Sequence, residues 1–300
     1  MSPGTQVSVT PVRPLELCLP SPLQEVVDDR LAAGIRLFLK RDDLINPHIG
    51  GNKWRKLQPN VAAARAAGHD RLLTFGGAYS NHIRATAAAG HYFGFSTIGV
   101  IRGEEHLPLN PSLAQAASYG MTLTYLDRSS YREKKDPHVI DRLHDEFGEF
   151  YLLPEGGSNA QGVRGCAAIP AEITDPLDII CCPCGTGTTL AGIASALRPG
   201  QHAIGFSALN GGGFLTAEVE ALQSQAFGFR AGDWHIECGY HFGGFARRTP
   251  ALDEFIAGFR TRHGLTLNWV YAAKMMYGIY ALAGQPPIPP GSTVTAVITG

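Results

Sequence analysis

The sequence predicts an α/β protein built as two open, twisted, mostly parallel α/β domains with a cleft between them. Two observations predict it. Short runs rich in β-branched and aromatic residues alternate with Ala-rich runs of about ten residues, which is the pattern of βαβ units. The alternation occurs in two series that meet near residue 153, with no sequence repeat and no low-complexity segment.

The elements follow in order. Residues 37–44 read as a strand running into a polar loop, and Gly50-Gly51-Asn52-Lys53 as a turn that opens a helix. A strand over 71–75 ends at Gly76-Gly77, and the helix predicted over 81–92 carries Ala85, Ala87, Ala88 and Ala89, small enough to lie close on a sheet. Next come a strand (96–101), a helix (110–119), a strand (121–126), a helix from Pro137 to Phe147 and a strand (151–154). The second series reads helix 163–172, strand 178–182, helix 188–197, strand 202–206, helix 215–223 and strand 292–298. Crossovers between parallel strands should be right-handed. We expect a small domain over 47–153 and a large one formed by 1–46 plus 154–300.

Composition narrows the partners. A chain of 300 residues can bury a large core. Net charge is −1 with no basic run, so no nucleic-acid partner is expected. No apolar stretch reaches the ~20 residues that span a bilayer, and residues 1–14 lack the charged-then-apolar pattern of a signal peptide. A cytoplasmic protein, by default an isologous homodimer, is the expectation. Cys181-Cys182-Pro183-Cys184 has no second, suitably spaced Cys or Cys/His pair to complete a closed metal site. These cysteines read as small apolar residues at a strand end, and no metal is expected.

Three strand-to-helix junctions carry candidate chemistry. At the first, Lys53 follows a Gly-Gly-Asn turn at a helix start, where desolvation and nearby cations can make an amine nucleophilic. At the second, Gly76-Gly77-Ala78-Tyr79-Ser80-Asn81-His82 turns the chain so that Ser80 caps a helix whose first N–H groups can hold a carboxylate. The third is Pro183-Cys184-Gly185-Thr186-Gly187-Thr188-Thr189. Its glycines let backbone approach a phosphate, its hydroxyls add bonds, and the following helix N-terminus favours negative charge. No Lys-Ser/Thr pair ends that loop, and its third glycine is misplaced for a dinucleotide fingerprint, so a single monoester phosphate suits it best. Each junction also has a bland alternative: a surface lysine, a simple N-cap with a packed histidine at His82, a glycine-rich βα turn. The three together suit a phosphate-bearing aldehyde held by Lys53, since ligands of open α/β sheets bind outside the strand carboxyl ends.

These segments resemble the 1-aminocyclopropane-1-carboxylate (ACC) deaminase / D-cysteine desulfhydrase family of pyridoxal phosphate (PLP) enzymes, of tryptophan-synthase β-like fold. The resemblance is carried by Leu39-Lys40-Arg41-Asp42-Asp43, Gly51-Asn52-Lys53-Trp54-Arg55-Lys56-Leu57, Ser80-Asn81-His82, Pro154-Glu155-Gly156-Gly157-Ser158-Asn159, the Gly185–Thr189 loop, and Tyr271-Ala272-Ala273-Lys274. It implies that Lys53 holds PLP as a Schiff base and that Asn81 bonds the cofactor's 3′-oxygen. Gly185, Thr186, Gly187, Thr188 and Thr189 would bind the phosphate. Ser80, Asn81 and His82 would line the substrate carboxylate, and Ser80 and Tyr271 would act on the substrate. Three departures bear on the substrate, a small amino acid. Ala272 stands where ACC deaminases carry a glutamate that bonds the pyridine nitrogen, which leaves Thr299 or water to serve it. Tyr79 replaces a glutamine at the pocket rim, and the chain ends at Thr299-Gly300 where relatives continue through a Thr-Gly-Gly turn, so it is expected to stop short of their tail. β-Elimination from D-cysteine is the activity expected, with ACC ring opening or a catalytically degenerate PLP-binding protein as alternatives. A dinucleotide-dependent oxidoreductase lacks both the glycine spacing and the acidic ribose partner.

Overall fold

The structure is a computed structural model that describes residues 10–32 and 34–300; the first nine residues of the stretch expected to lack a signal pattern lie outside it. Ten strands form two sheets. They are β1 (Leu23–Val26), β2 (Arg36–Lys40), β3 (Arg71–Gly77), β4 (Ser96–Arg102), β5 (Thr122–Leu126), β6 (Tyr151–Leu153), β7 (Ile179–Cys184), β8 (His202–Ser207), β9 (Trp234–Glu237) and β10 (Thr293–Val297). The four-stranded sheet, ordered β5-β4-β3-β6, is parallel throughout. The six-stranded sheet, ordered β1-β2-β10-β7-β8-β9, is parallel except that its edge strand β1 runs antiparallel to β2. The helices are α1 (Asn52–Ala66), α2 (Asn81–Phe93), α3 (Pro111–Ser118), α4 (Arg128–Arg132), α5 (Pro137–Phe147), α6 (Ala160–Cys166), α7 (Ala168–Ala171), α8 (Thr188–Ser195), α9 (Leu215–Phe227), α10 (Pro250–His263) and α11 (Ala272–Leu282). No described helix is long and apolar enough to cross a membrane.

The sheets are legible in their residues. β7 is buried along its whole length, as a central strand covered on both faces must be, and Cys181, Cys182 and Cys184 are part of that apolar run. The helix expected over 163–172 is instead two short ones. Asn159 caps α6 by accepting from the Gly162 N–H, which starts it early. Pro170 has no N–H for the carbonyl four residues back, so α6 stops at Cys166 and α7 is a separate turn.

Helix α1 lies between the two halves. Trp54, Leu57, Val61 and Ala64 pack with Leu72, Ala85, Ala88 and Phe93 in the core of the four-stranded sheet. On its other flank, Pro59 sits inside the helix and cannot donate to the Arg55 carbonyl. That carbonyl meets α6 at Gly165, where an added Cβ would come within 1.9 Å of the oxygen. Beneath α1 runs a buried ion network. Arg55 donates to Asp42 through Nε and Nη2, each at 2.7 Å, and to both oxygens of Glu172 at 2.8 and 2.9 Å. Lys40, fully buried, donates to Glu172 at 2.7 Å and to the Ser21 carbonyl at 2.6 Å.

Candidate active site

Lys53 stands in the first turn of α1, after Gly50 and a left-handed Gly51 (φ 60°). Its side chain is half-buried, and desolvation, then the like charge of Lys56, pushes its pKa down to about 7. At neutral pH a large share of molecules therefore carry a free amine there. The neighbouring Asn52 donates to Thr189 Oγ1 at 2.9 Å, which ties the Lys53 turn directly to the start of α8.

That start is open. Gly187, at φ 77°, is the N-cap of α8 and has no side chain to cap it. The first helical bond runs from the Ala191 N–H to the Gly187 carbonyl at 2.9 Å, leaving the N–H groups of Thr188, Thr189 and Leu190 without acceptors in the helix. Thr188 Oγ1 donates to Ser158 Oγ and lies 2.9 Å from Thr186 Oγ1, so a ring of hydroxyls surrounds these amides. Lys56, one turn after Lys53, is almost fully buried and reaches one carbonyl, that of Gly156, at 3.4 Å. Burial lowers its pKa as well. A buried cation, an uncapped helix start and converging hydroxyls fit a phosphate, and the free amine of Lys53 fits an aldehyde beside it. Lys56 was not singled out from the sequence; its spacing of three from Lys53 in one helix was the available signal.

On the four-stranded side, Ser80 caps α2, accepting from the His82 and Ile83 N–H groups. Asn81 donates to the Gly300 carbonyl at 3.5 Å and accepts from Arg84. His82 is buried, and its tautomer follows from its partner. Thr74 Oγ1 donates to the Leu153 carbonyl at 2.8 Å and so must accept from His82 Nε2–H at 2.9 Å. Nδ1 is then an unprotonated acceptor with no partner among the described residues. Burial, then Lys53 and Lys56, hold the His82 pKa well below its usual value. The imidazole is thus neutral, with its one N–H committed to Thr74, so its ring has no donor to offer an anion.

Tyr271 precedes α11 and lies on Gly185, where an added Cβ would stand 3.3 Å from its ring and hydroxyl. Burial, then Glu155, pushes its pKa up to about 12, so the phenol keeps its proton at neutral pH. Tyr79 is 78% exposed on the turn before Ser80. Ala272 is buried and its side chain offers no hydrogen bond; the Thr299 backbone carbonyl lies against Gly51.

Residues 16–300 match the family described as Pyridoxal-phosphate dependent enzyme. An Arabidopsis thaliana protein named bifunctional D-cysteine desulfhydrase/1-aminocyclopropane-1-carboxylate deaminase, mitochondrial, is 29% identical over 313 residues, covering 94% of this chain and 76% of that protein. The D-cysteine desulfhydrase of Salmonella paratyphi B is 27% identical over 278 residues, covering 87% of this chain and 85% of that one. A crystal structure of an ACC deaminase homologue matches with a TM-score of 0.81 at 28% identity, covering 97% of this chain and 92% of that one.

Proposed function

Because the chain belongs to the pyridoxal-phosphate dependent enzyme family, we propose that it is a lyase that releases pyruvate, sulfide and ammonia from D-cysteine. The observation that carries this is the junction of two elements: a lysine of lowered pKa and an uncapped glycine loop, joined by the Asn52–Thr189 bond. Lys53 holds the cofactor through its amine. The loop of Gly185, Thr186, Gly187, Thr188 and Thr189 holds the phosphate, with the Lys56 ammonium beside it. Asn81 donates to the cofactor's 3′-oxygen. Ser80 and the backbone N–H of Asn81 receive the substrate carboxylate, with His82 lining that end of the cleft and Tyr79 at the rim. Bound PLP supplies an electron sink for charge developing at the substrate α-carbon.

The protein's own groups do the rest. Lys53 Nζ, once free, is the base that takes the α-proton, and a pKa near 7 suits that task at neutral pH. Tyr271 presents a protonated O–H to the substrate's β-substituent. Ala272 supports the choice of D-cysteine, because it provides no partner that would strengthen the electron sink. A thiolate is a stable leaving group, its acid having a pKa of about 8.5, so its departure demands less than breaking a cyclopropane carbon–carbon bond. ACC ring opening is the second reading, supported by the name of the Arabidopsis relative. The test is 2-oxo acid release by the PLP-loaded protein. Pyruvate from D-cysteine is expected, and 2-oxobutanoate from ACC without pyruvate from D-cysteine would reverse the order of the two readings.

We also take the enzyme to be a cytoplasmic homodimer with domains over 47–153 and over 1–46 plus 154–300. A sedimentation coefficient of a monomer at micromolar concentration would remove the dimer.

A further inference from the structure

We propose that Arg84 is the positioning residue for Asn81: its guanidinium holds the Asn81 amide so that Nδ2, and not Oδ1, faces the cofactor's 3′-oxygen. The proposal rests on the reading of Lys53 as the residue that holds the cofactor and of Asn81 as the donor to its 3′-oxygen.

The neighbours of the amide fix which end points where. An arginine side chain has only donors, and a carbonyl oxygen only accepts. Arg84 Nη2 lies 2.5 Å from one end of the Asn81 amide, so that end is Oδ1. The other end, Nδ2, lies 3.5 Å from the Gly300 carbonyl. Gly300 packs on the turn before Lys53, where a Cβ added to it would stand 3.6 Å from the Gly51 nitrogen. The donor end of the amide therefore faces the turn that carries Lys53, and the acceptor end is held by α2. Nδ2 carries two hydrogens and its one bond is long, so it has a donor left to give. In PLP the 3′-oxygen is borne next to the aldehyde that Lys53 holds, which puts it on the donor's side.

Arg84 is an unexpected residue at its position. It follows the N-cap Ser80 by four residues, at the end of the first turn of α2, where the helix dipole disfavours a cation. Its side-chain acceptors among the described residues are two amide oxygens, Asn81 Oδ1 and, at 3.5 Å, Gln115 Oε1 of α3. Its Nε is buried and has none. A half-buried guanidinium committed to neutral acceptors, with one N–H left over, adds little net stability. Its presence calls for another reason, and the orientation of Asn81 supplies one. Asn81 and Arg84 are three apart on one helix face, and Gln115 anchors the far side of the guanidinium, so a chain of side chains runs from α3 to the cleft. The contact also polarises the amide, because a cation at Oδ1 makes Nδ2–H a stronger donor. Without Arg84 the amide is free to turn over, and its oxygen would then oppose the 3′-oxygen, acceptor against acceptor.

A double-variant cycle tests this on cofactor binding rather than turnover. PLP affinity of the cofactor-free protein, and the share of bound cofactor that absorbs in the visible, are read for the wild type, Arg84→Met, Arg84→Lys, Asn81→Ala and the Arg84→Met, Asn81→Ala double variant. A hydrogen bond to a charged oxygen favours the charged form, so losing the donor should move absorption from the visible band to the near-ultraviolet. Asn81→Ala should weaken PLP binding about tenfold and Arg84→Met about fivefold, both with that shift. The double variant should match Asn81→Ala within a factor of about two, because Arg84 acts through Asn81. Arg84→Lys, which keeps a charged donor for Oδ1, should keep the wild-type band. Losses that multiply in the double variant, or a wild-type band in Arg84→Met, would overturn the positioning role. If Arg84→Met does not fold, Arg84→Lys decides: a wild-type band there supports the role, and the shift seen in Asn81→Ala overturns it. A wild type with no cofactor band would overturn the cofactor reading, and wild-type band and affinity in Asn81→Ala would overturn the Asn81 contact; the positioning role falls with either.

Discussion

Replacing Glu172 by Gln should destabilise the protein by about 2–3 kcal/mol at pH 7, with a loss that fades in acid. Glu172 accepts from Lys40 at 2.7 Å, from Arg55 at 2.8 and 2.9 Å, and from the Ser21 N–H at 3.2 Å. Glutamine preserves shape but removes the charge. Arg55 keeps its bonds to Asp42, whereas Lys40, fully buried, is left with the Ser21 carbonyl and no counter-charge. Breaking a buried pair in this way costs roughly 3–5 kcal/mol. The Glu172 side chain is 12% exposed, which moves the expected value to the low end. For a chain of this length the melting temperature should fall by about 5 °C. Burial alone would raise the Glu172 pKa, but Arg55 and Lys40 overcome it and hold it at about 2 against an ordinary 4.5. A carboxyl lowered by folding stabilises above its unfolded pKa and loses that contribution as pH falls from about 4.5 to about 2. Urea denaturation of both proteins at pH 7 and pH 3.5 reads the gap. A gap below about 0.5 kcal/mol at pH 7, or one that does not shrink at pH 3.5, would refute the assignment of the energy to this charge.

Further outcomes follow from the site. Lys53→Ala should abolish the visible cofactor band, and in the wild type the rate of PLP rebinding to cofactor-free protein should rise with pH to a midpoint near 7, because the free-base fraction of Lys53 grows through its lowered pKa; a midpoint near 10 would contradict the burial argument. Gly187→Ala places a Cβ 2.5 Å from Val219 at φ 77° and should weaken PLP binding tenfold or more, while Gly68→Ala, at φ 79° with open space around it, should cost about 1 kcal/mol of stability and leave PLP affinity alone. Thr74→Val strips the acceptor from His82 Nε2–H and should cost about 1–2 kcal/mol in urea denaturation, with no loss expected if the imidazole were bonded elsewhere.

The parts of this protein that were legible in the sequence are those written in local chemistry. Gly185-Thr186-Gly187-Thr188-Thr189 after an apolar strand, and Ser80 before an Ala-rich run, announce their own backbone geometry. The parts that were not legible depend on distant partners. β9 is four residues at a sheet edge, too short for a period to show, and α11 is apolar nearly all round, so it gave no amphipathic signal. Lys40 and Glu172 are 132 residues apart, and nothing local to either marks it as buried. The exposure of Tyr79 and the tautomer of His82 likewise depend on how the loops and Thr74 are set in space.

Helix α1 has one more consequence. Its Trp54, Leu57 and Val61 belong to the core of one sheet, while its Arg55 carbonyl is pressed against Gly165, and its Arg55 side chain and Asn52 are bonded into the other half. Neither half can melt without pulling this rod out of the other, so the interface carries part of each half's own core energy. The molecule should lose its structure in a single all-or-none transition, with a calorimetric enthalpy equal to the van't Hoff value despite its size. A proteolytic attack in the cell would then meet a whole protein or a wholly unfolded chain, with no half-folded form between them.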